Sequence, residues 1–166
     1  MDDFKLLAGR PADAANYRLY LDDIIFFATD PDLPSEPEPF PNRVIYLAEF
    51  DTGPKQKYWP GDFELVEQPP SGGYWRAAMA SPRKNGKGQL ARLEINPPRA
   101  VGAKTRIRFR YYLTGATDKT VQLFDATVQD NRHVRLSSLK EGQWTTQYVD
   151  FSRDSQRNDG THPSPF

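Results

Sequence analysis

The chain has 166 residues, with 22 basic and 22 acidic side chains and no cysteine. This length suits one domain with a substantial hydrophobic core. The formal charge of zero excludes a long-range attraction to nucleic acid or to anionic membranes, and the absence of cysteine excludes disulfides and thiolate zinc sites. No apolar run approaches the roughly 20 residues that a membrane span needs.

The residue usage predicts an all-β fold. The sequence contains 15 prolines, 11 glycines and 13% aromatic residues. Proline stops helices and aromatic side chains favour pleated surfaces, so this composition favours many short strands joined by turns. We predict an antiparallel β-sandwich of the jelly-roll type.

The first 28 residues are typical of the end of a domain rather than of its beginning. Residues 17–27 are rich in β-branched and aromatic residues and lead into a proline-rich stretch, as a buried closing strand does where it meets a linker. An Asp-Phe pair at positions 3–4 recurs at positions 150–151; a chance match is the alternative. We predict that residues 1–28 are a closing-strand segment that completes the sheet, after circular permutation or in a tandem array. The protein is then a monomer or a head-to-tail strand-swapped oligomer.

The rest of the chain divides into a linker and a domain body. Residues 29–42 carry five prolines and are predicted to form a linker, and residues 43–166 are predicted to form the body of the sandwich. Strands are predicted at 43–50, 63–67, 74–80, 90–95, 105–113, 120–128, 133–136 and 143–151. The clearest alternation places Ile107, Phe109, Tyr111 and Leu113 on one face and Arg106, Arg108, Arg110 and Tyr112 on the other. No helix is predicted beyond a turn or two at residues 11–16.

Few residues suit catalysis. The only histidines, His133 and His162, are too few for a convincing triad or histidine-based zinc site. Glu94 lies beside Arg92 on a predicted strand, which is loosely similar to jelly-roll polysaccharide lyases, but the companion motifs of those enzymes are absent and a cross-strand ion pair explains both residues. We predict that the protein is not an enzyme.

Two adjacent carboxylates, Asp22 and Asp23, interrupt the apolar strand at residues 17–27. A buried carboxylate must be neutralised, hydrogen-bonded or bound to a cation. Calcium, which takes six or more oxygen ligands, is one solution. A carboxylate pair held by backbone N–H groups or by an arginine is the other, and the sequence leaves both open.

Three short motifs resemble a known family: Phe50-Asp51-Thr52-Gly53, the stretch from Trp144 to Asp150-Phe151, and Tyr20-Leu21-Asp22-Asp23-Ile24. They are similar to motifs of the calcium-bearing β-jelly-roll carbohydrate-binding modules with a galactose-binding-like fold, although the closing strand comes first here. The resemblance implies a structural calcium ion held by Asp22 or Asp23, by Glu49 or Asp51, and by a carbonyl near Gly72 and Gly73. We expect these ligands at strand ends, away from the arginine face. The resemblance also implies an extracellular or cell-surface module of a larger, bacterial secreted protein, with its signal peptide outside this sequence.

Sugar binding requires aromatic faces for the pyranose rings and planar polar groups for the hydroxyls. The candidates are Trp59, Tyr74, Trp75, Arg76, Arg108, Arg110 and Tyr112. The arginines suit acidic glycans, because a guanidinium binds a carboxylate bidentately; alternatively, Trp75 and Trp144 belong to the core and the arginines only solubilise the strand. We predict a non-catalytic polysaccharide-binding module. The alternatives are a structural or adhesion repeat and a jelly-roll lyase or glycoside hydrolase.

Overall fold

The computed structural model describes residues 3–8, 18–28, 44–51, 61–67, 69–70, 76–82, 89–95, 99, 105–126 and 129–160. Within these ranges the chain forms β-strands and one helical turn. In chain order they are β1 (Asp3–Ala8), β2 (Arg18–Ala28), β3 (Val44–Ala48), β4 (Gly61–Asp62), β5 (Glu64–Val66), β6 (Ala77–Met79), β7 (Ser81–Pro82), β8 (Gln89–Glu94), β9 (Thr105–Thr114), β10 (Lys119–Asp125), β11 (Asp130–Leu136), β12 (Thr145–Asp150), α1 (Phe151–Asp154) and β13 (Gln156–Arg157).

The strands form two antiparallel sheets that pack face to face. The seven-stranded sheet has the order β13-β11-β10-β1-β8-β4, with β7 also paired to β8. The six-stranded sheet has the order β12-β9-β2-β6-β5, with β3 also paired to β2. The predicted antiparallel β-sandwich, completed by an N-terminal strand, is therefore confirmed. In the described part of the chain, no helix has both the length and the apolar character needed to cross a membrane.

Strict alternation along the strands builds the core between the sheets. On β9 the buried apolar residues are Ile107, Phe109, Tyr111 and Leu113, as predicted. Thr105 is buried as well, and the residues between these positions are only partly buried. Phe4 of one sheet contacts Phe26 of the other edge-to-face, with ring centroids 5.5 Å apart. Because successive side chains of a strand point to opposite faces, Arg106, Arg108, Arg110 and Tyr112 lie on the outer face of β9.

Both N-terminal strands lie inside the sheets. β1, which the sequence did not predict as a strand, lies between β10 and β8. β2 pairs with β9 along one side, and with β6 and β3 along the other. Phe27 pairs with Val44, so the predicted linker, whose residues 29–42 lie outside the described ranges, connects two neighbouring strands of one sheet.

A bulge in the middle of β2 reorients its two carboxylates. The register against β9 shifts between Asp22 and Ile25, and Asp23 has a φ of 48°. Leu21 and Ile24 are both buried in the core. Two residues lie between them instead of one, which places Asp22 and Asp23 together on the outer face of the six-stranded sheet.

Candidate functional site

Three aromatic side chains cross the outer face of the six-stranded sheet. Tyr20 of β2 lies opposite Tyr112 of β9, with ring centroids 6.0 Å apart. Trp144, just before β12, lies 6.0 Å from Tyr112 by the same measure. All three are partly exposed. We call Trp144, Tyr112 and Tyr20 the aromatic row; it runs across the strands rather than along one of them.

Arg110 links the aromatic row to the two carboxylates. Arg110 is the outward residue that precedes Tyr112 on β9. Its guanidinium carbon lies 5.2 Å from the centre of the Trp144 ring. Its Nη1 atom lies 3.7 Å from the Oδ2 atoms of both Asp22 and Asp23. The guanidinium therefore combines a cation–π contact with an ion pair.

Part of the connection between β5 and β6 lies against this face. Trp144 donates a hydrogen bond from Nε1 to the carbonyl of Pro70 at 3.0 Å. The backbone N–H of Arg76 donates to Oδ1 of Asp51 at 2.9 Å, and the Arg76 guanidinium lies 3.5 Å from Glu67. Arg76, a predicted ligand residue, is therefore tied to Asp51, whereas the predicted Trp59, Tyr74 and Trp75 lie outside the described residues.

Asp22 is the most perturbed acid in this cluster. Only 1% of its surface is exposed, and its Oδ2 atom has no hydrogen-bond partner within the described residues. Its Oδ1 atom accepts from the N–H of Asp23 at 3.0 Å. Burial, followed by the charge of Asp23, raises the pKa of Asp22 from 3.8 to about 7; the charge of Asp51 adds to the rise, and the hydrogen bond from the Asp23 N–H and the charge of Arg110 oppose it.

We predicted that Asp22 and Asp23 lie at strand ends, away from the arginine face, and this prediction is wrong. The bulge places Asp22 and Asp23 in mid-strand, on the same face as Arg110. Glu49 is exposed just after β3. No three acidic or histidine side chains among the described residues converge to hold a metal ion, and the positive charge beside the pair belongs to Arg110. The structural calcium ion stays a prediction.

The structure brings together more of the site than the sequence indicated. Arg108 lies on the same outer face, opposite Tyr148 on one side and Ile25 on the other. Sequence reasoning missed Tyr20, and it assigned Trp144 no role beyond the core. Alternation could have predicted the outward position of Trp144. It lies an even number of residues before the outward Tyr148 and an odd number before the buried Val149.

The arginine and glutamate considered for lyase chemistry form an ion-pair network. Arg92 Nε lies 2.8 Å from Oδ2 of Asp62 on the paired strand β4. The other end of the same guanidinium contacts Glu94. The predicted cross-strand ion pair is therefore present between Arg92 and Asp62, whereas the contact of Arg92 with Glu94 lies within β8.

Replacing Asp22 by asparagine is expected to stabilise the protein above about pH 7. Between the unfolded pKa of 3.8 and the folded pKa of about 7, only the folded state keeps the proton, so the contribution of Asp22 to stability falls as the pH rises. The full shift would correspond to at most about 4 kcal/mol at about 1.4 kcal/mol per pKa unit, and relaxation leaves an expected gain of about 1–2 kcal/mol. The carbonyl oxygen of the introduced amide can still accept the Asp23 N–H.

Urea denaturation of both proteins across the acidic and neutral range measures this effect. The stability difference should be small in acid, grow as the pH rises, and level off above about pH 7. Asp62→Asn is the matched control, because it removes a 46% exposed carboxylate from the other sheet. A mutant less stable than the parent at every pH would contradict the assignment of Asp22 as a destabilised buried acid.

The chain matches no protein-family model, no curated protein and no solved structure. The similarity to carbohydrate-binding modules therefore stays a prediction that rests on the residue motifs.

Proposed function

We propose that this domain binds a polysaccharide at the outer face of the six-stranded sheet and does not cleave it. The observation that carries the proposal is the aromatic row with Arg110 beneath Trp144. Aromatic side chains offer apolar surface to the C–H faces of pyranose rings, and they retain polar groups for hydroxyls. A partly exposed row on a rigid sheet gives such a surface without a deep pocket.

The arrangement favours an extended ligand over a single sugar. The ring centroid of Tyr112 lies 6.0 Å from that of Trp144 and 6.0 Å from that of Tyr20, so the row runs across the sheet. Each aromatic side chain belongs to a different strand or strand end, so their spacing is fixed by the hydrogen-bonded register. A short oligosaccharide segment laid across the strands would contact all three.

The charges beside the row favour acidic glycans. Arg18 flanks Tyr20 on β2 and is exposed, and Arg108 follows Arg110 along the outer face of β9. A guanidinium binds a carboxylate or sulfate through two parallel hydrogen bonds. The secreted or cell-surface location belongs to the same proposal, because extracellular polysaccharide is the ligand.

Truncation of the row tests this function. We expect Tyr112→Ala to weaken binding about tenfold, since losing roughly 1.4 kcal/mol changes an affinity by that factor. The matched control is Tyr148→Ala, which removes a partly exposed tyrosine from the outer face of β12 but outside the row. Arg108→Ala should weaken binding of an acidic glycan more than that of a neutral one.

Gel electrophoresis in soluble glycans, one per gel, gives the readout. Retarded migration in one glycan, reduced in Tyr112→Ala and kept in Tyr148→Ala, would support the proposal. Unchanged migration in all neutral and acidic glycans would favour a structural or adhesion repeat. Release of reducing ends or unsaturated sugars would overturn the claim that the protein is not an enzyme.

A structural calcium ion is the cofactor that the family resemblance implies for this module. Thermal denaturation of the parent and of Asp22→Asn, each with calcium and with chelator, tests it without further variants. A melting temperature that calcium raises in the parent but not in Asp22→Asn would support the ion, because binding to the native state stabilises by mass action. Identical melting temperatures in both buffers would leave Arg110 as the cation of the pair.

A further inference from the structure

A row of polar side chains crosses the outer face of the seven-stranded sheet. Its members lie directly opposite one another on neighbouring strands, so they share one register position. From β13 to β4 they are Gln156, His133, Gln122, Lys5, Arg92 and Asp62. Because neighbouring strands lie about 4.8 Å apart, this row extends roughly 24 Å across the sheet. We call it the polar row; it lies on the opposite side of the sandwich from the aromatic row.

Alternation places the polar row on the solvent side of the sheet. Gln122 lies between the buried residues Val121 and Leu123 on β10 and is itself only partly buried. Its opposite neighbour on β11, His133, is also partly buried, and the next member, Gln156, is exposed. Directly opposite residues of paired strands share a face. The side chains of Gln122, His133 and Gln156 therefore stand side by side on the outer face.

These three planar side chains have unused hydrogen-bonding groups. Among the described residues, no hydrogen bond is formed by the side chains of Gln122, His133 or Gln156. On the same face of β11, the Nδ1 atom of His133 and the Oδ1 atom of Asn131 are buried and unpaired within the described structure. A polar atom in that state indicates a missing partner. Amide and imidazole groups donate and accept hydrogen bonds, as hydroxyl groups do, so hydroxyls suit them as partners.

The charged half of the polar row is neutralised within the fold. Arg92 Nε lies 2.8 Å from Asp62, and the same guanidinium contacts Glu94. The Lys5 ammonium lies 5.9 Å from the centre of the Phe124 ring, as in a cation–π contact. The described part of this face therefore lacks the excess of cations that binding of nucleic acid or of an acidic glycan requires. This balance favours a neutral ligand.

We propose that the polar row is a second glycan-binding surface, and that it takes a neutral polysaccharide chain laid across the strands. Hydroxyls of the chain donate to and accept from Gln122, His133 and Gln156. This surface does not depend on the aromatic row. A domain with both surfaces can hold two polysaccharide chains on opposite sides, and that consequence alone rests on the proposed function.

Calorimetric titration with three neutral hexasaccharides, cellohexaose, xylohexaose and mannohexaose, tests the surface. The titrations use the whole chain and its Tyr112→Ala variant, in which the aromatic row is disrupted. We expect at least one hexasaccharide to bind both proteins saturably. In the Tyr112→Ala background, Gln122→Ala should weaken binding about fivefold, the factor that corresponds to about 1 kcal/mol for a lost hydrogen bond.

Two further variants give an independent check and a control. Gln156→Ala changes an exposed side chain of the polar row and should weaken binding by a similar factor without loss of the folded state. Thr146→Ala changes an exposed residue on the outer face of the six-stranded sheet and should have no effect on the same titration.

Absence of saturable binding to Tyr112→Ala would overturn the second surface, and so would unchanged affinity in both Gln122→Ala and Gln156→Ala. Neither result bears on the aromatic row, whose own readout is the binding of an acidic glycan and its loss in Tyr112→Ala. Conversely, absence of acidic-glycan binding, together with the expected hexasaccharide titrations, would overturn the proposed function and leave the polar row as the glycan site.

Discussion

A chain that lacks residues 1–28 is expected not to fold cooperatively, and an added peptide of residues 1–28 is expected to restore folding. The removed strands β1 and β2 each lie between neighbours within a sheet. They bury six large apolar side chains: Phe4, Leu6, Leu19, Leu21, Ile24 and Phe26. At about 1.5–3 kcal/mol for each side chain, this loss is comparable to the whole stability of a domain, about 5–15 kcal/mol.

Single substitutions at the contact between the sheets also test whether the N-terminal strands belong to the core, without removing any strand. Phe4 and Phe26 meet edge-to-face at an interplanar angle of 89°, and replacing either by alanine should lower the free energy of unfolding by about 3–5 kcal/mol. Ile25→Ala is the matched control, because Ile25 neighbours Phe26 but lies on the outer face and is only partly buried. Its cost should be clearly smaller in urea denaturation.

A soluble truncated chain with unchanged stability would refute the claim and make residues 1–28 an appendage. Sedimentation of the intact chain addresses how β2 reaches its place. Phe27 and Val44 are paired neighbours, so closure within one chain requires no long crossing, and we expect a monomer. Head-to-tail oligomers would instead mean that the strand is exchanged between copies.

Regular alternation made the body of the sandwich predictable. At residues 107–113 every second residue is apolar, and the structure buries that set. The pattern was weaker at β1, where alternation covers only Phe4, Lys5 and Leu6 before it is broken by Leu7 and Ala8, and the strand was missed. Strands β4, β7 and β13 have two residues each, which is too short to show a hydrophobic period. Each of them pairs with a longer strand that provides its hydrogen-bonding groups.

The site depended on features that alternation does not encode. A strand without a bulge would place Asp22 and Asp23 on opposite faces, and only the register shift after Asp22 brings both to Arg110.

Asp125→Ala is expected to lower the free energy of unfolding by about 3–5 kcal/mol. Arg132 is 2% exposed, and its Nε and Nη2 atoms lie 3.1 and 3.0 Å from Oδ2 of Asp125. Both side chains point into the core: Arg132 lies on the same face of β11 as Val134, and Asp125 lies on the same face of β10 as Leu123. Removing the carboxylate would leave a buried guanidinium without its counter-charge, which costs far more than the pair itself contributes.

A second ion pair, between β11 and the residue just before β10, provides the control. Arg135 lies 4.0 Å from Asp118, and the two side chains are 77% and 52% exposed; Arg135→Ala should therefore cost less than about 1 kcal/mol. The apolar double variant Asp125→Leu/Arg132→Met should be more stable than Asp125→Ala, because it removes both charges of the buried pair. Equal costs for Asp125→Ala and Arg135→Ala in urea denaturation would show that Asp125 does not neutralise the buried arginine. A double variant less stable than Asp125→Ala would show instead that the pair itself stabilises the sandwich, through hydrogen bonds that apolar packing between β10 and β11 does not replace.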